Sequence, residues 1–224
     1  MDERADTDLA RIYGETRQRV ASLVAGLTDA ELETRTPACP AWTVRDVVAH
    51  LAAIPEDAAS GRLSGIPTDD FTASQVARLG RLPVADVLAR WAAAAPDFEE
   101  SIAAHEVWPA VIDVASHEQD IRGALGKPGA RDCAAVRACT PRLLDWLEVP
   151  VPVRIITEDG EYLAGSGTAE TDELKLTTSR FEAFRWRMGR RSRGQIAALA
   201  WSADPAPVLD HLAVFGPADH DVIE

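Results

Sequence analysis

Between positions 9 and 27, Leu9, Ile12, Tyr13, Thr16, Val20, Leu23, Val24 and Leu27 recur at three- and four-residue spacing, which predicts a long helix with one apolar stripe. Thr28-Asp29-Ala30-Glu31 reads as a capping box for a short following turn, and Pro37 and Pro40 then break the chain. Thr43 and Asp46 form the N-terminal signature of a second helix carrying Val44, Val47, Val48 and Leu51. From 55 to 83 the chain is rich in Gly, Ser, Asp and Pro, and reads as an irregular crossing with one helical piece near 74–79. Val84, Val87, Leu88, Trp91, Ala95, Phe98 and Ile102 mark a third helix, with a local kink expected at Pro96. Pro109 suits the first turn of a fourth, which carries Val111, Val114, Ile121 and Leu125 and stops at Gly126. Four amphipathic helices make a bundle.

A further helix around Val136, Leu143, Leu144 and Leu147 leads to Pro150 and Pro152, where the apolar period changes from helical to alternating. Val151, Val153 and Ile155 alternate, Asp159-Gly160 is a hairpin turn, and Leu174 and Leu176 mark another strand. Ser179 and Glu182 open a helix to Met188; a strand is expected at 196–201 and a last helix from Pro205 through Leu212. No Gly-x-Gly-x-x-Gly is present, so this part is no dinucleotide-binding fold. The fold class is therefore α+β, with a four-helix bundle over residues 1–131 and a small α/β domain over 132–224.

Composition narrows the partners. With 23 basic and 36 acidic side chains the formal charge is −13, a field that repels phosphate backbones and anionic lipid, so neither nucleic acid nor membrane is an expected partner. No apolar run approaches the ~18 residues of a membrane span. The first residues carry neither a basic stretch nor an apolar core, and the three cysteines are odd in number. Together these point to a cytoplasmic protein with reduced thiols.

The sharpest chemistry lies on the fourth helix. Asp113 and His117 are four residues apart and Asp120 follows three later, all on one stripe. A carboxylate and an imidazole so spaced can chelate one divalent metal from a single helix, with His50 on the second helix as the candidate third ligand. The competing reading is a surface ion pair for Asp113 with His117 and a structural role for His50. The metal reading gains from the conflict between pattern and packing, because polar residues occupy the core-facing stripe of two separate helices. Glu118 with Arg122 reads as a solvated pair, and Cys39 as a thiol near the second helix that is more simply inert. Arg185, Arg187, Arg190, Arg191 and Arg193 cluster in an otherwise acidic chain. Arg190 and Arg191 are candidate contacts for an anionic substrate group, against the alternative of salt bridges to acidic neighbours.

The stretch Cys39-Pro40-Ala41-Trp42-Thr43-Val44-Arg45-Asp46-Val47-Val48-Ala49-His50-Leu51 resembles the N-terminal signature of the mycothiol-dependent maleylpyruvate isomerase family, related to the DinB-like metal-binding four-helix bundles. The run from Asp113-Val114-Ala115-Ser116-His117 to Gly126 is similar to a second family segment, and residues 184–215 resemble the family's small sterol-carrier-like domain. The resemblance implies a divalent metal, zinc, held by His50, Asp113 and His117, and mycothiol as a thiol cosubstrate. The family pattern usually has Glu where this chain has Asp113, a side chain one methylene shorter. The expected function is a metal-dependent, mycothiol-using isomerase or thiol transferase acting on a small electrophilic or anionic substrate. The alternatives are a non-catalytic metal- or ligand-binding sensor and a hydrolase using metal-bound water.

Overall fold

The computed structural model describes residues 8–63, 65, 67–165 and 173–224, which divide into two units, one ending at Gly129 and one spanning Ala130–Ile223. In the first, the Asp8 side chain caps α1 (Leu9–Val24) by accepting from the Arg11 amide. The Thr28–Glu31 capping box opens the one-turn α2 (Asp29–Leu32). Where the prolines promised only a break, β1 (Arg35–Thr36) and β2 (Cys39–Thr43) form an antiparallel ribbon, a place where a strand has no second neighbour and tolerates a missing N–H.

The Thr43–Asp46 capping box starts α3 (Val44–Ala59), which runs straight through Pro55 instead of ending there. An interior proline costs a backbone hydrogen bond and typically ~3 kcal/mol. The turn beyond it carries Asp57, into which Arg62, Gln75 and Arg78 all donate, and those bonds hold the extra turn in place. The crossing expected after Pro55 contains α4 (Asp69–Leu79), capped by Thr68. After α5 (Val84–His105), Glu106 turns the chain in a left-handed conformation (φ 49°), so that α6 (Trp108–Ala124) begins almost at once, with Pro109 in its first turn.

The four long helices close a ring, α1 against α5 and α6, and α3 against α5 and α6. Buried Trp91 donates its indole N–H to Tyr13 Oη at 3.1 Å, and Tyr13 meets Phe98 edge to face at 5.3 Å. Burial pushes the Tyr13 phenol pKa up. Glu118 is not a solvated partner of Arg122. It is fully buried and also accepts a two-pronged contact from Arg19 of α1, tying the first helix to the fourth side of the ring.

The second unit starts with α7 (Ala134–Asp145), followed by the hairpin β3 (Val153–Thr157) and β4 (Gly160–Ala164). Next come β5 (Leu174–Thr177), α8 (Arg180–Arg187), α9 (Arg193–Ala197) and β6 (Ala200–Trp201). The sheet order is β4-β3-β5-β6, with β3 and β5 parallel and the outer pairs antiparallel. Ile155 and Leu176 point inward onto Trp186, Ile196 and Leu212. Most of the strand expected at 196–201 is absent, because Ser192 and Gln195 make a capping box that pulls the chain into α9 and leaves two strand residues. The last helix shrinks to a 3-10 turn at Leu209–His211. A turn closed by the Val208 amide on the Pro205 carbonyl precedes it, and Gly216-Pro217 follows before a helix could grow.

Trp91→Ala should destabilise the helical unit by about 3–5 kcal/mol in urea unfolding. Trp91→Phe should cost less, chiefly through the loss of the hydrogen bond to Tyr13.

Candidate metal centre

The geometry of α3 and α6 brings His50, Asp113 and His117 together. Their donor atoms lie within 4.8 Å of one another. Both residues on α6 sit one turn apart because the helix repeats every 3.6 residues, and α6 is buried on almost every side from Ala110 to Ile121. Asp113 is the exception, with its side chain 35% exposed. Its Oδ2 is 3.4 Å from His50 Nε2, and its Oδ1 is 3.5 Å from His117 Nε2.

What each imidazole does with its other nitrogen decides the chemistry. His117 Nδ1 is 2.9 Å from Asp120 Oδ2, a buried carboxylate that only accepts, so Nδ1 carries the hydrogen and Nε2 is left with its lone pair. His50 Nδ1 is 2.8 Å from Gln75 Oε1. The Gln75 amide is turned that way because its Nε2 donates to Asp57 Oδ2 at 2.8 Å. Hence His50 also donates from Nδ1, and its Nε2, which faces Asp113 Oδ2, offers a lone pair when the imidazole is neutral. Two lone pairs and one carboxylate converge, each histidine oriented from behind by an acceptor, as metal-binding histidines regularly are.

The two separations, one to each Asp113 oxygen, are longer than close charged hydrogen bonds and of the size found between donors on one ion. Donors on a tetrahedral ion with bonds of ~2.0–2.1 Å stand ~3.4 Å apart, whereas an N–H donating to a carboxylate closes to ~2.7–2.9 Å. Two neutral imidazoles and one carboxylate also form a donor set typical of a catalytic site, with room for a further ligand. Asp113, although shorter than Glu, reaches both histidines.

The indole of Trp42 lies over both rings, 5.1 Å from His50 and 5.8 Å from His117 between centroids, and the imidazoles meet edge to face at 5.3 Å. Burial works against charging His50, yet the nearby Asp113 carboxylate, assisted by Gln75 and Asp57, outweighs it and lifts the imidazole pKa. Behind His117, half-buried Cys39 donates its thiol to Asp120 at 3.6 Å. Cys39, His117 and Asp120 thereby make a second close grouping through the Nδ1 side. Asp113 also forms part of the wall of a cavity of about 400 Å³, with Ile54, Leu63, Phe98, Val107 and Ala110 among its neighbours. A shallower groove of about 650 Å³ along Glu15, Arg19 and Arg122 includes none of the three ligand candidates.

Residues 13–122 match the mycothiol maleylpyruvate isomerase N-terminal domain. The match covers the helical unit, just under half of the chain, which is a domain of this type. Two crystal structures of the mycothiol-dependent maleylpyruvate isomerase are similar in fold to the chain. A histidine-to-alanine variant superposes with a TM-score of 0.58 at 16% identity, and another structure with 0.54 at 17%, each over 90% of this chain and 93% of its own. At such identity the likeness is one of fold. No curated protein sequence matches significantly.

Within this maleylpyruvate isomerase-type unit, sequence reasoning overlooked three residues around the centre. Trp42 stands in the sequence only as one residue of the family-like stretch, and Gln75 and Asp57 lie in the segment read mainly as a crossing. The only signal available for Gln75 was the helical piece expected at 74–79. The candidate anion contacts fall in the second unit, where Arg191 makes a two-pronged ion pair with Glu182 and Arg190 donates to the Met188 carbonyl. Arg187, also from the cluster, is buried with its guanidinium on the carbonyls of Leu143 and Leu212, and burial lowers its pKa to about 10.

Burial pushes the Asp57 carboxyl pKa up, but bonds from Gln75 and Arg62 and the Arg78 guanidinium win and hold it below the ordinary value. Its unfolded pKa is near ~3.9. Asp57 therefore contributes stability above that range and loses it as pH falls through its lower folded value. Asp57→Asn should flatten the acid limb of a stability–pH curve measured by urea unfolding between pH 3 and 7. Gln75→Leu should destabilise by about 1–3 kcal/mol, since it strands His50 Nδ1–H and one Asp57 oxygen in the interior.

Proposed function

We propose that the chain is a metal-dependent, mycothiol-using isomerase or thiol transferase, with His50, Asp113 and His117 holding a divalent ion, zinc by analogy with the resemblance. The observation that carries this reading is the pair of Nε2 atoms facing Asp113, each on a ring fixed by an acceptor at its Nδ1. A zinc ion held by these three residues would supply a Lewis acid, the chemistry that lowers the pKa of a thiol toward neutrality.

The protein's own groups do the rest. Asp120 holds the His117 ring in place, and Gln75, itself held by Asp57, does the same for His50. Trp42 shields the outer faces of both imidazoles from water. Asp113 stands where the donors meet the cavity, so a substrate seated there lies beside the thiolate, and positioning of the two reactants accounts for much of the rate.

Wild-type protein should carry close to one metal per chain by elemental analysis after native purification. His50→Ala, Asp113→Ala and His117→Ala should each remove most of it, because two protein ligands and water hold an ion poorly. Unchanged metal content in all three would overturn the reading. With zinc present, turnover of an electrophile should require mycothiol; equal turnover without any thiol would favour a hydrolase instead.

A further inference from the structure

The cavity beside Asp113 carries information about what is bound there. Its volume of about 400 Å³ falls within the range of small-molecule pockets. Ile54, Leu63, Phe98, Val107 and Ala110 present carbon to its interior, and Ser101 adds a hydroxyl. Among the described residues lining it, Asp113 is the charged one and its charge is negative; none of them is arginine, lysine or histidine.

A carboxylate placed in such a cavity would exchange water for hydrocarbon, which opposes binding, and without an ion at the centre it would also face Asp113 as a like charge. Nor would the centre itself attract a second anion. A divalent ion, the Asp113 carboxylate and one thiolate are together neutral. An uncharged, largely apolar molecule gains by burial in the same place.

We infer that the cavity accepts the body of an uncharged, apolar electrophile, such as an aryl or alkyl halide or an enone, rather than a dicarboxylate. This rests on the proposed thiol chemistry and narrows its substrate class. With a halide, the thiolate sulfur forms a bond to carbon while the carbon–halogen bond breaks. The halide leaves with its electron pair and the thiol proton passes to solvent. With an enone, sulfur adds to the β-carbon and a proton from solvent completes the α-carbon.

The test separates binding from turnover. Calorimetry on zinc-loaded protein saturated with mycothiol compares the uncharged, unreactive bimane ring with maleate as a dicarboxylate probe. Bimane should bind at least tenfold more tightly; equal or tighter binding of maleate would overturn the inference. Ala110→Phe, which fills the cavity from α6, and Phe98→Ala, which enlarges it, should both weaken bimane binding with metal content unchanged. Unaltered binding in two folded variants would also count against the cavity as the site. In turnover with zinc and mycothiol, monochlorobimane should be consumed at least tenfold faster than maleylpyruvate. Preference for maleylpyruvate would overturn the substrate class while leaving the thiol chemistry standing. Consumption of neither, with bimane still bound tightly, would overturn the thiol chemistry and leave the cavity's preference for uncharged ligands intact.

Discussion

Polar side chains at the centre of the helical unit must find partners inside it, because water cannot supply them. Ser116, His117, Glu118, Gln119 and Asp120 follow one another on α6 and are all buried. An unpartnered buried polar group costs about 1–3 kcal/mol, so such a run would be heavily destabilising without organised neighbours. The surrounding elements provide them. Arg19 and Arg122 take Glu118, Asp120 takes His117, and across the ring Gln75 takes His50 while Asp57 steadies Gln75. The arrangement of α1, α3, α4 and α6 follows from these pairings as much as from the apolar stripes.

The same pairings explain why the centre has its chemical character. Acceptors occupy the outer nitrogen of each imidazole, and Asp113 alone of the described carboxylates faces the two inner ones. Both rings are thereby held with Nε2 toward Asp113 by bonds within the protein itself. Pre-organisation of this kind reduces the ordering cost of binding. Trp42, brought over the rings by a short β-ribbon, adds a hydrophobic cover to a centre built of charged and polar groups.

The four bundle helices were readable from their periodicity, and Thr43 with Asp46 announced the start of α3 in the capping residues alone. The juxtaposition of Asp113 and His117 was equally legible, since helical spacing fixes it. Three things were hidden. The continuation of α3 past Pro55 depends on tertiary bonds to Asp57 that outweigh a local rule. Gln75 is an ordinary polar letter in a segment of mixed composition, and only its distance to His50 shows its role. In the second unit, a capping box at Ser192 overrode an alternating pattern, because hydrogen bonds at a helix start are decided by two residues while a strand needs partners elsewhere.

Asp57 has one further property, which follows from where its backbone and side chain point. Its carbonyl accepts from the amides of Arg62 and Leu63, and its carboxylate accepts from Arg62 and Gln75. Leu63 begins the part of the cavity wall that continues through Gly65 and Pro67. One residue thus anchors both the wall of the cavity and the orientation of His50. Removing that one carboxylate would free Gln75 and Arg62 together, so a single change loosens both the support of the His50 ring and the segment from which the wall begins.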